Sequence, residues 1–385
     1  MSTLPSDAIL EASSQPESGS EPTAAREEPA GFLRRAWRGL WTLLYGSIGL
    51  LAGLATLAAI PILQFSTLGW LLEVEGRLAR GERWRSALPG LQRAVPVGSG
   101  IFGCGLLLIP FLLLWHYYLD AQLLAPDAAL PTTLWRISVG YGAAAGLYAV
   151  VALAAGRGSL LAFATPFRNL QVLYERREGL SLSATTAWVK GLRPGHYLSQ
   201  GVKGFLVAAA WLSPPTLLLA AGKAAPGLGL IGALLLVLCL RTALVAQARV
   251  AATGELKAGF AWREIREDVR RAPLATALAL ALTLALALPL YLLKIQLLDR
   301  DAFWLLAIPF LVLLWPTRVA SGWALRRARR REERAHLIWR LLGSGLALPA
   351  GGAYVFLLFF SQYFGWRGSA GLFAHHAFLL PVAFY

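Results

Sequence analysis

The chain has few of the residues on which catalytic chemistry and soluble folding usually depend. Its 385 residues include two cysteines, one methionine and five histidines, and only 15% of them are charged. A soluble domain would carry roughly 25% charge, so the hydrophobic content of 57% and the mean hydropathy of +0.56 require a lipid environment. Cys104 and Cys239 both lie in apolar runs, where a thiol behaves as a small hydrophobe, which argues against a disulfide framework or a metal site.

Motifs that bind nucleotides or catalyse hydrolysis are missing as well. The sequence contains no Gly-x-x-x-x-Gly-Lys-Ser/Thr loop, no His-Glu-x-x-His pair and no Gly-x-Ser-x-Gly elbow. The adjacent His375 and His376 have no nearby carboxylate, and neighbouring residues point in different directions, so they are poor ligands for one metal ion. We therefore expect no catalytic residues, no cofactor and no metal site.

The basic residues form clusters that alternate with the apolar runs. Of the 36 Lys and Arg residues, 31 fall in five stretches: 26–38, 64–96, 157–203, 241–273 and 318–340. Such alternation marks the cytoplasmic loops of a multi-pass membrane protein. Contact with anionic lipid headgroups explains the net charge of +15 better than nucleic-acid binding does.

The apolar runs predict an all-α fold, a polytopic transmembrane helical bundle. Spanning the hydrocarbon core takes about 20 residues of helix. We predict eight full spans, with the N-terminus cytoplasmic and the C-terminus external: 39–59, 97–118, 137–156, 204–222, 227–247, 274–293, 302–317 and 341–361. Residues 1–33 are predicted to be a disordered acidic tail, and residues 34–385 the membrane domain.

The first apolar stretch, 39–72, has basic residues on both sides and Pro61 within it. It is too long for one span and too short for two. A full span followed by one short return helix after Pro61, over about 62–80, places both basic ends on the cytoplasmic side. The competing interpretation is a single long kinked helix with the N-terminal tail outside.

Two cytoplasmic connections have an amphipathic pattern. Residues 254–273 place apolar residues at near-helical spacing opposite charged ones, and a second such segment runs from Ser181 or Ser183 to Leu192. Each helix could lie on the inner leaflet or, as a solvated helix, pack on its neighbours.

Small residues indicate where helices pack closely. Gly49 and Gly53 form a Gly-x-x-x-Gly pair, and Gly140, Gly142 and Gly146 give the third long segment a smooth face. Packing within the chain is the first interpretation, and a homo-oligomer or a membrane-protein partner is the second.

Two features could form a polar or substrate site inside the membrane. Ionisable residues there are costly and often functional, so a pair between Glu73 and Arg241 could form a polar centre. The alternative is that Glu73 lies at the cytoplasmic interface and Arg241 snorkels to it. The segment Ser213, Pro214 and Pro215 could break its helix and expose carbonyl groups for a substrate, as in transporters, although prolines also kink ordinary membrane helices.

Residues 60–93 contain Pro61, Gly69-Trp70, Arg77, Arg80 and Gly81-Glu82. With this pattern they resemble a prokaryotic domain-of-unknown-function family of multi-pass integral membrane proteins, which usually has Tyr at the position of Trp70. Later segments look like the large bacterial members of that group: Arg271-Ala272-Pro273, Leu288 to Lys294, Trp315 to Arg318 and His376 to Pro381. The resemblance implies location and architecture and no activity.

Together these features predict a membrane protein of the bacterial cytoplasmic (inner) membrane. We expect a non-catalytic structural or assembly component of the envelope, whose basic segments contact anionic headgroups of the lipid bilayer. The alternative is a transporter or permease for a small or lipidic solute. A lipid-modifying enzyme is disfavoured because His and carboxylate residues do not cluster in the sequence.

Overall fold

The computed structural model describes residues 29–83, 87–155, 160–175, 190–296, 307–364, 368–374 and 376. In these ranges the regular secondary structure is entirely helical. The helices are α1 (Pro29–Ala59), α2 (Gln64–Ala79), α3 (Leu91–Leu124), α4 (Ala129–Ala154), α5 (Pro166–Glu175), α6 (Pro194–Ala221), α7 (Pro226–Thr253), α8 (Trp262–Arg271), α9 (Pro273–Gln296), α10 (Ala307–Arg329), α11 (Leu337–Phe364) and α12 (Gly371–Ala374). Short 3-10 turns lie at Leu160–Ala164, Leu256–Gly259 and Gly368–Ala370.

Within the described ranges, eight helices are long and apolar enough to cross a membrane, and each overlaps one predicted span. They are α1, α3, α4, α6, α7, α9, α10 and α11. The all-α, multi-pass bundle is therefore confirmed. The largest boundary error concerns the span predicted at 302–317, because α10 continues to Arg329 and places Arg318 inside the helix.

A hairpin follows α1, as the basic residues on both sides of the first apolar stretch predicted. The helix ends at Ala59, and Ile62 has a left-handed φ of 71° in the turn before α2. The hydroxyl of Thr67 then donates a 3.0 Å hydrogen bond to the carbonyl of Leu54. In one continuous helix those two residues would be roughly 20 Å apart, so the kinked-helix interpretation is wrong.

The return helix α2 is enclosed by protein. Fourteen of its 16 residues are buried, and it packs against α6, α7 and α10. Glycines permit this close approach: a Cβ on Gly69 would lie 1.7 Å from the carbonyl oxygen of Tyr197. A Cβ on Gly201 would lie 1.8 Å from that of Phe65. Backbones in contact gain van der Waals energy that larger side chains would prevent.

The antiparallel pair α3 and α4 is much more exposed. Few of its side chains are buried, and large apolar residues such as Leu113 and Leu147 are exposed. Of the predicted packing glycines on α4, Gly142 meets the ring of Phe111, whereas Gly140 and Gly146 face open space. Similarly, Gly49 of α1 packs on α3, and Gly53 has open space beside it.

The amphipathic helix predicted within 254–273 is confirmed as α8. It buries Ile265 and Asp268, and Arg249 at the end of α7 forms ion pairs with Asp268 and Glu264. The second predicted amphipathic segment, from Ser181 or Ser183 to Leu192, lies mostly outside the described residues. At the other end of the chain, α1 begins at Pro29, so residues 29–33 of the predicted tail are helical.

Candidate functional site

The centre of the bundle contains a buried ion pair between α2 and α10. The guanidinium of Arg318 donates through Nη1 to Glu75 Oε2 at 3.0 Å and to Gln247 Oε1 at 3.0 Å. Glu75 is 0% exposed and Arg318 is 1% exposed. Gln247, on α7, is also fully buried and donates to the carbonyl of Gly204 on α6 at 2.9 Å. One polar network therefore connects four helices.

Local sequence explains why these side chains meet. Glu75 follows Leu68, Leu71 and Leu72 at spacings of seven, four and three residues, so it shares their buried face of α2. On α10, Gly322 lies beside the backbone of Glu75, where an added Cβ would be 2.4 Å from its carbonyl oxygen. That close approach brings the guanidinium of Arg318, one turn earlier, to the carboxylate.

A second charged cluster lies along another face of α2. Glu73 Oε1 accepts from Arg77 Nε at 2.8 Å and from Arg80 Nη2 at 3.3 Å. Its other oxygen lies 3.4 Å from Nε2 of His196, at the start of α6. Glu73, Arg77 and Arg80 are spaced four and three residues apart, which places them on one side of a helix. His196 is 46% exposed at its side chain, so this cluster reaches the surface.

The C-terminal end of α7 receives donors from its neighbours. Gln200 donates to the carbonyl of Ala251 at 3.1 Å, and Lys203 donates to the carbonyl of Gly254 at 2.8 Å. Arg80 also contacts the Ala251 carbonyl, at 3.4 Å. The last carbonyls of a helix have no partners within it and carry partial negative charge, so cationic donors stabilise this end.

The structure does not bring Glu73 and Arg241 together. Glu73 is paired with Arg77, Arg80 and His196, whereas the half-buried Arg241 lies elsewhere on α7. Arg80, a partner of Glu73, contacts α7 at Ala251, which is ten residues or about 15 Å along the helix from Arg241. The hypothesis of a Glu73–Arg241 centre is therefore wrong as a contact, and the buried centre is formed by Glu75 and Arg318 instead.

The segment Ser213, Pro214 and Pro215 does not divide its helix. α6 is continuous from Pro194 to Ala221, with Pro214 exposed and Pro215 buried. A buried polar contact follows directly: the hydroxyl of Thr216 donates to the carbonyl of Leu212 at 2.7 Å and lies 3.0 Å from Nε2 of His376.

His376 links the C-terminal segment to two membrane helices. Its Nδ1 lies 3.3 Å from the hydroxyl of Tyr354 on α11, and the side chain is buried. The sequence predicts that His376 follows the last span on the external side, and it gives no sign of these contacts. In the part of the chain that the structure describes, no three His, Cys, Asp or Glu side chains are grouped to hold a metal ion.

Comparison with protein-family models, curated proteins and solved structures finds no match to this chain. The guanidinium of Arg318 pairs with Oε2 of the Glu75 carboxylate inside the protein core, and Gln247 adds a neutral link. Such a group fixes the relative positions of the helices. Glu75 is also the one acid on the described helices with 0% of its surface exposed.

Proposed function

We propose that this multi-pass membrane protein is a non-catalytic structural or assembly component of the bacterial cytoplasmic membrane. The observation that supports this function best is the pairing of its core charges. Glu75 and Arg318 neutralise each other, and Glu73 is compensated by Arg77 and Arg80. A carboxylate paired with a guanidinium, which an amide side chain links to a third helix, fixes the arrangement of helices through contacts within the protein.

The basic stretches and the sequence resemblance support the proposed location. In this proposal the N-terminus lies in the cytoplasm and the C-terminus outside, and the basic loops contact the anionic inner leaflet. The motifs around Pro61, Gly69-Trp70 and Gly81-Glu82 support membership in the domain-of-unknown-function family. In the structure, Trp70 donates to the carbonyl of Pro89 at 2.8 Å and Gly81 has a left-handed φ of 91°, so both are architectural positions.

Transport of a small or lipidic solute is the second candidate function. The observation in its favour is the burial of an ionisable pair between α10 and α2, a helix of only 16 residues inside the bundle. Ionisable residues within membrane domains commonly mark ion or proton pathways. A transporter would need the charges of Glu75 and Arg318 themselves, whereas a scaffold would need only the packing that they provide.

A variant whose core ion pair is replaced by apolar side chains tests which of the two functions is correct. The double variant Glu75→Leu/Arg318→Leu removes both charges and replaces them with apolar side chains, a change that is often tolerated when both partners go together. In a deletion strain, a structural role predicts that this variant restores the wild-type phenotype at normal protein levels. In reconstituted vesicles, the wild-type protein should give no solute or proton flux above empty vesicles. Failure to restore the phenotype, together with a flux that depends on Glu75, would replace the structural function by transport.

A further inference from the structure

One face of α8 concentrates positive charge. Arg263, Arg266 and Arg270 are spaced three and four residues apart, so they project from the same side of the helix, together with Glu267. Ile265 on the opposite side is buried against the protein. The basic face is therefore directed away from the core while the helix itself is fixed in place.

The loop between α10 and α11 forms a second wall beside this face. The amide of Ala335 donates to the carbonyl of Arg270 at 3.1 Å, and Arg331 donates to that of Arg271 at 3.1 Å. Arg334 donates to both oxygens of Glu267, at 3.2 and 3.0 Å. Helix and loop enclose a shallow groove of about 430 Å³ lined by Arg263, Glu264, Arg266, Glu267, Arg270 and Arg334.

The groove has an excess of positive charge that the protein does not neutralise. Glu264 is engaged by Arg249, and Glu267 by Arg334 and Arg271. Arg263, Arg266 and Arg270 form no ion pair within the described part of the chain. The pKa of Arg270 is lowered, first by the positive charge of Arg266 and then by partial desolvation and the charge of Arg334. Arg270 nevertheless remains a cation at any physiological pH. An anion in the groove would relieve this repulsion.

Aromatic residues beside the groove indicate where its ligand comes from. Phe260 and Trp262, which immediately precede Arg263, are each 48% exposed. The indole of Trp262 is amphipathic, and exposed rings of this kind settle at the headgroup level of a membrane. α8 is also held between two candidate spans, since α7 ends at Thr253 and α9 begins at Pro273. The groove is thereby kept close to the membrane surface.

We propose that this groove binds the phosphate group of an anionic phospholipid, with Arg266 and Arg270 as its principal ligands and Arg263 and Arg334 at its edges. Guanidinium groups form paired, charge-assisted hydrogen bonds to phosphate oxygens. One face of the Trp262 ring stacks on Trp211, and its other face lies against the glycerol and upper acyl region of the same lipid. The site rests on the proposed location of the basic loops at the anionic inner leaflet, and it lies outside the buried polar network.

The test uses the full-length protein in a neutral detergent, titrated with phosphatidylglycerol, with phosphatidylcholine or with inorganic phosphate. Bound lipid is counted by native mass spectrometry, and the melting temperature gives an independent measure of binding. The variant Arg266→Gln/Arg270→Gln should weaken phosphatidylglycerol binding by about tenfold or more, since two charge-assisted contacts are lost. Arg136→Gln/Lys223→Gln, which makes the same change in net charge at exposed positions outside the basic stretches, should bind as the wild type does.

Each outcome decides the proposal. Equal affinity of the groove variant and the wild type would overturn it, and so would an equal loss in both double variants, because attraction would then be a property of overall charge. Inorganic phosphate that competes as well as the lipid would overturn the lipid as the source and leave a site for free phosphate. Unliganded melting temperatures should agree among all three proteins, because the substituted side chains point away from the core.

Discussion

The helix α2 and the pair α3 and α4 differ in how burial relates to polarity: the more polar helix is buried and the more apolar pair is exposed. α2 carries Glu73, Glu75, Arg77 and Arg80 at or near its C-terminal half, and it is enclosed by protein on nearly every side. α3 and α4 are more apolar on average than α2, yet most of their side chains are exposed in the protein. In water the distribution would be the reverse.

This difference shows what marks the interior of a membrane protein. Lipid tails are as apolar as leucine, so burying an apolar side chain against protein gains little hydrophobic free energy. Polar groups and backbones instead gain from contact with protein, because lipid cannot form hydrogen bonds with them. The core is therefore found where ionisable residues and glycines coincide, as at Glu75 and Gly76 of α2.

The largest expected effect is the loss of one partner of the central ion pair. Arg318→Leu would leave the carboxylate of Glu75 buried without its cation, which costs about 3–5 kcal/mol in buried pairs. We expect a large fall in melting temperature in detergent, and most of it should be recovered in the double variant Glu75→Leu/Arg318→Leu.

Arg241→Leu is the matched control for that experiment, because it removes the same side chain from a half-buried position on α7 that has no carboxylate partner in the described structure. Its effect on melting temperature should be far smaller. A loss as large as that of Arg318→Leu would mean that the ion pair is not the feature that distinguishes the core.

Glycine substitution compares the two regions directly. Gly69→Ala would place a methyl group against the backbone of Tyr197, and the resulting overpacking should cost about 1–3 kcal/mol. Gly105→Ala on α3 meets open space, and the higher helix propensity of alanine should make it neutral or stabilising by up to about 1 kcal/mol. Thermal unfolding of the two variants in the same detergent measures the difference. Equal effects would show that α2 is not packed more tightly than α3.

Much of the fold could be predicted from the sequence, because it depends on run lengths and on the placement of charge. The eight spans, the turn at Pro61 and the helix at 262–271 all follow from patterns along the chain. The burial of α2 could not be predicted, since a short segment with Glu73 and Glu75 has the composition of a helix at an interface. Only the three-dimensional arrangement shows that α6, α7 and α10 enclose it.

The sequence predicts the type of polar contact, an acid paired with an arginine on another helix, but not the residues that form it. A pair between an acid of α2 and a distant arginine was expected, but Glu73 was matched with Arg241 instead of Glu75 with Arg318. One signal was available: Glu75 continues the buried stripe of Leu68, Leu71 and Leu72, whereas Glu73 precedes Arg77 by four residues and can pair within its own helix. The partner was hidden because the span at 302–317 was ended one residue before Arg318.

Helix α8 is an intermediate case, since it is anchored by one buried arginine and exposed on its other face. Arg249→Gln removes the ion pairs to Asp268 and Glu264 and leaves Asp268 buried, at a local cost of about 1–2 kcal/mol. Hydrogen exchange should speed up in residues 262–271 and stay unchanged in α2. As a control, Arg263→Gln, on the exposed face of the same helix, should leave both regions unchanged. Faster exchange in α2 as well would mean that α8 supports the core.

The smallest expected effect concerns the exposed end of α8 and its dependence on pH. Partial desolvation raises the pKa of Glu267, but hydrogen bonds and charges from Arg334 and Arg271 outweigh it and lower the pKa below its ordinary value of 4.5. A depressed folded-state pKa stabilises the protein at pH values above the unfolded-state pKa, and this contribution disappears as the pH falls through the folded-state pKa.

Glu267→Gln should therefore melt slightly below the wild type at pH 7, and the two melting temperatures should converge below pH 4.5. Glu332→Gln, on the facing loop and without an ion pair in the described structure, should match the wild type at both pH values. A difference between Glu267→Gln and the wild type that persists in acid would assign the stabilisation to packing of the side chain, because protonation abolishes the ion pair and leaves the packing intact.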